Sequence, residues 1–318
     1  MSTIRRPRFG SLQYWPRKRA KKEIPSVNWT NYDNIKSDKN SVLGFIGYKV
    51  GMLSVSVRDE TLNSMTKGKK IIIPATVIDC PPIKIFSLRF YKNNVVHKEI
   101  IISNDKILKK KVKLPKTLKK IEDEIPKEYE DIRIIVYSIV TKTKIKKTPD
   151  MIELALIAND KLAFAKSLIG KEISLKDFID KYELVDIRGL TKGKGLVGPV
   201  KRFGISLKSH KTEKGVRRPG SLGPWHPARV TFRTPMAGQL GFFSRVQYNL
   251  KVIYAGNINE TNINPGTGFK HYGKINGDYL IVMGSVQGPP KRQLLITPSF
   301  RPSKSQLKKK YHFIEVLR

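Results

Sequence analysis

Short runs of β-branched and aliphatic residues, separated by turn residues, predict a chain built mainly from β-strands. The runs occupy residues 42–50, 71–78, 83–91, 95–102 and 132–140. Such side chains pack well on a pleated surface, and Pro74, Pro81 and Pro82 punctuate the runs. Short turns between strands indicate antiparallel neighbours, so we expect a closed antiparallel β-barrel rather than a parallel sheet with long crossover helices.

Helical patterns are confined to a segment at about residues 120–183, which also holds 13 of the 26 acidic residues. Asn159 or Asp160 is placed to cap a short helix that Gly170 ends, and Ser174 with Asp177 has the spacing of a capping box. We therefore predict one or two small helices here, in an acidic insertion that faces solvent or protein.

Charge sets the class of partner. The 318 residues include 62 Lys or Arg and 26 Asp or Glu, a formal net charge of +36. A chain of this charge repels itself and needs a polyanion, either nucleic acid or an anionic membrane. Because no apolar run approaches the roughly 18 residues of a spanning helix, we expect no membrane partner and favour nucleic acid. The basic N-terminus also lacks the apolar core of a secretory signal, so we expect a cytoplasmic protein.

The first concentration of charge is an N-terminal arm. Residues 1–22 carry eight cations and no acid. They show no apolar periodicity, which predicts that the arm does not fold alone. Phe9, Tyr14 and Trp15 lie among the cations, and aromatic side chains beside Arg favour stacking on unpaired bases. A solvated tail is the alternative interpretation.

The second concentration spans residues 188–251, where fourteen Lys or Arg accompany a single acid, Glu213. Frequent Gly and Pro leave room for few regular elements, so we predict a long irregular extension that is ordered against RNA. The resulting domain prediction is an arm at 1–40, a barrel domain at 41–191 and 252–318, and a basic RNA-penetrating extension at 192–251.

Trp225 lies between Pro224 and Pro227, in a stretch rich in Arg and poor in apolar neighbours. A tryptophan is often a core residue, but the two prolines predict a stiff turn. We therefore expect Trp225 at the tip of the extension, where it can stack on or wedge beside RNA bases.

Other chemistries find little support. Residues 193–198 match G-x-G-x-x-G after a plausible strand at 184–191, but Pro199 and Gly204 are expected to break the helix that a dinucleotide site needs. The spacing of Gly189, Gly193 and Lys194 does not fit a P-loop. The five histidines lack metal-ligand spacing, and the single cysteine, Cys80, is expected to be a small buried hydrophobe. We predict no metal, no cofactor and no enzymatic activity.

Several runs resemble the large-subunit ribosomal protein L-three family in its archaeal and eukaryotic form. These runs are GSLGPWHPARV at 220–230, MAGQLG at 236–241, NLKVIY at 249–254, GSL at 10–12, PRKR at 16–19 and TKGKG at 191–195. The chain departs from the family in having Phe9 where His is frequent. The family's methylated histidine corresponds to Glu213, so that modification is not transferred, even to nearby His210.

The resemblance implies a translation-protein type β-barrel with a basic N-terminal arm and a long basic internal extension. It also implies a structural protein of the large ribosomal subunit that binds near the 3′ end of the large-subunit RNA, acts early in assembly and reaches toward the peptidyl transferase centre with Trp225. Its partners would be that RNA and neighbouring ribosomal proteins, with no small-molecule substrate and no homo-oligomer. The predicted RNA-binding residues are Arg5, Arg6, Arg8, Arg17, Lys18, Arg19, Lys21, Lys22, Lys192, Lys194, Lys201, Arg202, Lys208, His210, Lys211, Lys214, Arg217, Arg218, Trp225, His226, Arg229, Arg233, Gln239 and Arg245.

Two rival functions share the charge. An RNA-processing enzyme would need a cofactor motif or a pocket with perturbed carboxylates, and the sequence shows neither. A DNA-compacting protein would bind duplexes through phosphates and groove insertion, without a folded barrel or a proline-stiffened tryptophan. Competition between RNA and DNA separates the latter from the ribosomal interpretation.

Overall fold

Two compact units make up the chain in this computed structural model, which describes residues 10–11, 13–31, 40–118 and 121–317. The first unit comprises Met1–Lys21 and Leu190–Ser244, and the second comprises Lys22–Gly189 and Arg245–Arg318. The predicted contacts of Arg5, Arg6 and Arg8, and the predicted stacking of Phe9, lie outside the described residues.

The described chain is mainly β, as the hydrophobic pattern predicted. Its strands are β1 (Ser41–Val42), β2 (Phe45–Asp59), β3 (Lys70–Asp79), β4 (Ile83–Lys92), β5 (Val95–Ile101), β6 (Asp131–Ser138), β7 (Met151–Ile157), β8 (Leu184–Leu190), β9 (Leu196–Val197), β10 (Gly238–Gln239), β11 (Ser244–Asn257), β12 (Asp278–Met283), β13 (Gln293–Pro298) and β14 (Tyr311–Leu317). Its helices are α1 (Ile121–Glu124), α2 (Lys161–Leu168), α3 (Leu175–Ile179), α4 (Pro199–Phe203) and α5 (Lys304–Lys308), with 3₁₀ turns at Trp29–Asn31 and Lys106–Lys110. All five predicted strands are present.

The larger sheet has the strand order β13-β8-β11-β12-β3-β2-β14, and an additional pairing of β13 with β2 closes six of its seven strands into a ring. Strand β2 is long enough to pair with both β13 and β14. Its first residues, Phe45 to Tyr48, pair with β13, and its last residues, Ser54 to Asp59, pair with β14. A register shift between Lys49 and Gly51 separates the two halves, and such bulges bend a strand.

A second antiparallel sheet has the order β1-β7-β6-β4-β5. The predicted strands at 83–91, 95–102 and 132–140 therefore lie outside the ring, and assigning all five predicted strands to one barrel was wrong. The acidic insertion at 120–183 is also more than helical, because it supplies β6 and β7 to this sheet. Short turns reveal that strands are antiparallel, but only long-range burial selects the sheet that each strand joins.

One continuous core fills the second unit. Ile46, Val77 and Leu295 come from the ring, and Leu88 and Ile134 come from the second sheet, and all five are fully buried in the same cluster. The two sheets of this unit thus stabilise each other by excluding water from their facing surfaces.

The local helix signals are confirmed. Asp160 accepts hydrogen bonds from the backbone N–H groups of Leu162 and Ala163 at 2.9 and 3.0 Å, and caps α2. Ser174 and Asp177 form the reciprocal capping box of α3. Cys80 is fully buried, as predicted. None of the helices in the described part of the chain is both long and apolar enough to cross a membrane.

Candidate nucleic-acid interface

The first unit has an extreme charge balance. Its two segments contain eighteen Lys or Arg, and Glu213 is their single acid. All of the described residues that we predicted to bind RNA lie in this unit except Lys22 and Arg245, which fall just inside the second unit. The unit therefore offers a concentrated positive surface that its own carboxylates leave uncompensated.

The internal extension has an outgoing leg at residues 192–197 and a returning leg at residues 236–241. Backbone hydrogen bonds join these two legs at the base of the extension, which we call its root. Lys194 N–H donates to the Leu240 carbonyl and Leu240 N–H donates to the Gly195 carbonyl, both at 2.9 Å, next to the short β9–β10 pair. The backbones approach so closely that a Cβ on Gly241, whose φ is +73°, would lie 1.9 Å from the Lys192 carbonyl oxygen. Glycine at this position allows the close pairing of the legs.

Pro199 does not prevent a helix, contrary to the prediction. Gly198 is the N-cap, Pro199 occupies the first turn of α4, and Gly204 ends the helix in the left-handed conformation at φ +65°. Proline is compatible with a first helical turn because its missing N–H has no intrahelical acceptor there. The helix spans only five residues, so the long helix that a dinucleotide site would require does not follow residues 193–198.

Arg202 was predicted to contact RNA, but its guanidinium is used inside the protein. The side chain is buried, Nε donates to the Gln239 carbonyl at 3.0 Å, and Nη1 donates to the Met236 carbonyl at 3.0 Å. Burial lowers the pKa of this guanidinium from its ordinary value. Arg202 therefore fixes α4 against the returning leg of the extension. Gln239 is similar, because its Nε2 donates to the Gly241 carbonyl at 2.9 Å.

An aromatic cluster orders the N-terminal segment within the first unit. Trp15 stacks on Phe203 at 6.4 Å between ring centroids and meets Phe232 edge-on at 5.5 Å. The Arg17 guanidinium lies 4.6 Å from the Phe203 centroid and donates to the Ser11 carbonyl at 2.9 Å. Trp15, which the sequence suggested for stacking on RNA bases, thus packs on the protein's own aromatic residues in this structure.

Most of the described residues that were predicted to bind RNA are exposed to solvent. The exceptions are Arg202, which is buried, and Arg17, Gln239 and Arg245, which are half-buried. The exposed members are Lys18, Arg19, Lys21, Lys22, Lys192, Lys194, Lys201, Lys208, His210, Lys211, Lys214, Arg217, Arg218, His226, Arg229 and Arg233. Positive side chains with this exposure can neutralise phosphates without moving the backbone.

Trp225 is 88% exposed, although tryptophan is usually well covered. Its segment contains no helix or strand, and the Thr234 hydroxyl closes it by donating to the Leu222 carbonyl at 2.8 Å. His226 and Arg229 are exposed on the same segment. The prediction of an exposed tryptophan on a loop is confirmed, and an indole with free faces is suited to stacking on a nucleobase.

Comparison with known proteins agrees with these features. The family model described as Ribosomal protein L3 matches residues 1–315. Large ribosomal subunit protein uL3 of Methanocaldococcus jannaschii is 37% identical, over 96% of this chain and 94% of that relative. The protein of the same name from Archaeoglobus fulgidus is 38% identical, over 94% of this chain and 93% of that relative. With a family match over nearly its whole length and relatives of this identity and coverage, the chain belongs to the ribosomal protein L3 family, whose members are structural proteins and not enzymes.

Proposed function

We propose that this protein is a structural constituent of the large ribosomal subunit that binds the large-subunit RNA through its first unit. The supporting observation is the set of exposed Lys and Arg side chains in that unit, whose sequence contains a single acid, Glu213. Release of condensed counterions from phosphates drives binding by such a surface. The family name and the relatives' names support the ribosomal assignment.

The proposal extends to the RNA site, the stage of assembly and the position of Trp225 in the subunit. The protein binds near the 3′ end of the large-subunit RNA in the cytoplasm, early in assembly, and it enters the subunit as a single copy beside other ribosomal proteins. Its ring of strands corresponds to the translation-protein type barrel, with the arm at 1–40 and the extension at 192–251 as RNA-penetrating segments. Trp225 stands at the tip of the extension, toward the peptidyl transferase centre. Family resemblance and the 88% exposure of Trp225 support this part.

Sucrose-gradient sedimentation of lysate at moderate and at high salt tests the assignment. We expect the chain to co-migrate with the large subunit at both salt concentrations, because an integral component is held by many phosphate contacts in folded RNA. Loosely bound basic proteins serve as the internal control, since high salt strips them from the particle. Migration with free protein or with DNA at moderate salt would refute the proposal.

The location of the interface requires a second measurement. Hydroxyl radicals generated from an iron chelate tethered at position 225 in a Trp225→Cys, Cys80→Ala protein should cleave the RNA around the peptidyl transferase centre. The same tether at exposed Leu62, in the second unit, is the control and should cleave elsewhere. Identical cleavage patterns from both positions would contradict the placement of Trp225.

A further inference from the structure

A further cluster of lysines lies in the second unit, in a segment outside the predicted RNA-binding residues. We name residues 104–116 the lysine loop. It follows β5, and its six lysines are Lys106, Lys109, Lys110, Lys111, Lys113 and Lys116, all exposed. The one acid of the loop is Asp105, whose carboxylate accepts a hydrogen bond from the Tyr137 hydroxyl.

The lysine loop is anchored by apolar side chains. Leu108 is fully buried in a small cluster with Phe86, Ile135 and Tyr137 of the second sheet. Val112 and Leu114 are half-buried against the same cluster. Burial of these three residues holds the loop on the sheet and leaves its cations outside.

Hydrogen bonds fix the residues just before the lysine loop and join the two ends of the loop. The Phe86 carbonyl, at a bulge of β4, accepts from the N–H groups of Ile102 and Ser103 at 2.8 and 3.1 Å. The Asn104 side chain donates to the Pro115 carbonyl at 3.3 Å and ties the two ends of the loop together. These contacts order part of the loop before it binds, which reduces the entropy that binding must remove.

Some other surface lysines of the second unit, unlike those of the loop, have an acidic partner among the described residues. Lys70, Lys92 and Lys176 each form an ion pair with a glutamate. None of the six lysines of the loop forms an ion pair with any residue that the structure describes. The glutamates beside Pro115 are already paired, Glu99 with Arg89 at 2.8 Å and Glu124 with Lys98 at 2.5 Å.

We propose that the lysine loop is a second RNA-binding surface, which holds the phosphate backbone of a folded RNA. Protein partners are disfavoured because protein interfaces are depleted in Lys and centred on apolar residues, whereas the apolar residues of this loop face inward. Lysine without arginine supplies point charges for phosphate rather than the planar fork that reads base edges. The surface therefore positions the second unit on RNA without selecting a sequence. This inference rests on the proposed function, which provides the RNA.

Lysine acetylation footprinting tests the proposal on the full-length protein. The protein is acetylated free and bound to large-subunit ribosomal RNA transcribed in vitro, and modification is quantified by mass spectrometry. We expect the lysine loop to be protected several-fold in the complex. Protection of Lys208, Lys211 and Lys214 with an unprotected loop would refute this inference and leave the proposed function standing. Protection of neither set would refute both.

A charge-matched pair of variants separates local contact from net charge. Lys109→Gln/Lys111→Gln/Lys113→Gln removes three unpaired lysines, and Lys70→Gln/Lys92→Gln/Lys176→Gln removes three paired ones. Each phosphate contact contributes up to about 0.9 to the slope of log K against log salt, so the first variant should lose roughly two to three units. The control should lose little. Equal losses from the two variants would overturn the proposal, because the effect would then follow net charge alone.

Two further probes identify the polyanion. Polyglutamate and phosphatidylserine vesicles are each tested for binding to the same proteins. We expect neither probe to distinguish the loop variant from the control. A loop variant that loses vesicle or polyglutamate binding while keeping its RNA salt slope would replace RNA with that partner and overturn the proposal.

Discussion

Residues of one type take opposite roles in this protein. Trp29 is 2% exposed and its indole N–H donates to the Glu153 carbonyl at 3.2 Å. Trp15 packs between Phe203 and Phe232, whereas Trp225 is 88% exposed. At the scale of the residue, function therefore depends on what covers a side chain, and the residue type alone does not determine it.

Substitution of these tryptophans should separate folding from function. Trp225→Ala should change the free energy of unfolding by less than about 0.5 kcal/mol, because an exposed side chain contributes little to the core. Trp29→Ala, the matched control, should lower it by about 3–5 kcal/mol. Urea unfolding measures both free energies. Sucrose gradients should show Trp225→Ala assembled into subunits, and an assay of peptide-bond formation should show that the activity of those subunits is altered. A Trp225→Ala protein that fails to fold would contradict its placement.

Asp79 is a buried acid with an unusual protonation state. Its carboxyl group is fully buried and accepts a hydrogen bond from the Tyr272 hydroxyl at 2.5 Å. Burial, with a smaller contribution from the charge of Asp278, raises the pKa of Asp79 to about 7. The same surroundings raise the pKa of the Tyr272 hydroxyl, chiefly by burial.

This pKa predicts how stability depends on pH. Because the native pKa of Asp79 exceeds the unfolded value of 3.8, the native state binds more protons between about pH 4 and 7. The contribution of Asp79 to stability is thus fully present below pH 4 and is lost as pH rises through 7. Asp79→Asn keeps an acceptor for Tyr272 and cannot ionise, so its stability advantage over wild type should grow from pH 4 to 7, to at most about 4 kcal/mol, and then stay constant. Parallel stability profiles in urea unfolding across pH 4–8 would contradict this assignment.

At the scale of the element, glycines decide how closely two legs of chain can pair. Gly195 and Gly241 both have positive φ, at +64° and +73°. A Cβ on Gly195 meets open space, whereas one on Gly241 would meet the Lys192 carbonyl oxygen at 1.9 Å. The two positions share backbone strain and differ in steric room.

This difference makes a matched pair of variants. Gly195→Ala should cost about 1 kcal/mol locally, because only the left-handed conformation penalises it. Gly241→Ala carries the same strain and must also separate the legs, so the amides of Lys194 and Leu240 should exchange hydrogen markedly faster. Hydrogen exchange read by mass spectrometry measures both variants. Equal protection in the two would mean that the root of the extension tolerates side chains.

At the scale of the whole molecule, charge is divided unevenly between the two units. The first unit holds eighteen of the 62 basic residues and one of the 26 acids. Acids of the second unit form ion pairs, such as Arg133 with Asp131 at 3.1 Å and Lys176 with Glu260 at 3.0 Å. Ion pairs offset part of the charge of the second unit, which holds the remaining 44 basic and 25 acidic residues, whereas the first unit has a single acid for eighteen basic residues and depends more strongly on an external polyanion.

Two truncations of the arm should differ for this reason. Removing residues 1–9 eliminates three arginines and should lower the salt slope of RNA binding by up to about three units. Removing residues 1–22 eliminates eight cations and also Trp15, which uncovers Phe203 and Phe232. The longer truncation should therefore also destabilise the first unit, as measured by limited proteolysis of the extension. An unchanged salt slope in both proteins would refute the role of the arm.

Features that depend on neighbours along the chain could be predicted without a structure. The strand runs, the Asp160 cap, the capping box at Ser174 and the glycine after α2 were all readable, because propensities and caps act within a few residues. The large positive charge and its concentration in two segments were equally plain. The exposure of Trp225 followed from its flanking prolines and cations.

The contacts between segments that are distant in sequence could be learned from the folded structure alone. It divided the strands between a ring and a second sheet, buried Arg202 against carbonyls more than thirty residues away and placed Trp15 on Phe203. It also showed that the lysine loop is anchored by Leu108 rather than being a solvated run of charge. These outcomes depend on which apolar surfaces exclude water together, and that free energy belongs to the whole fold and not to any local pattern.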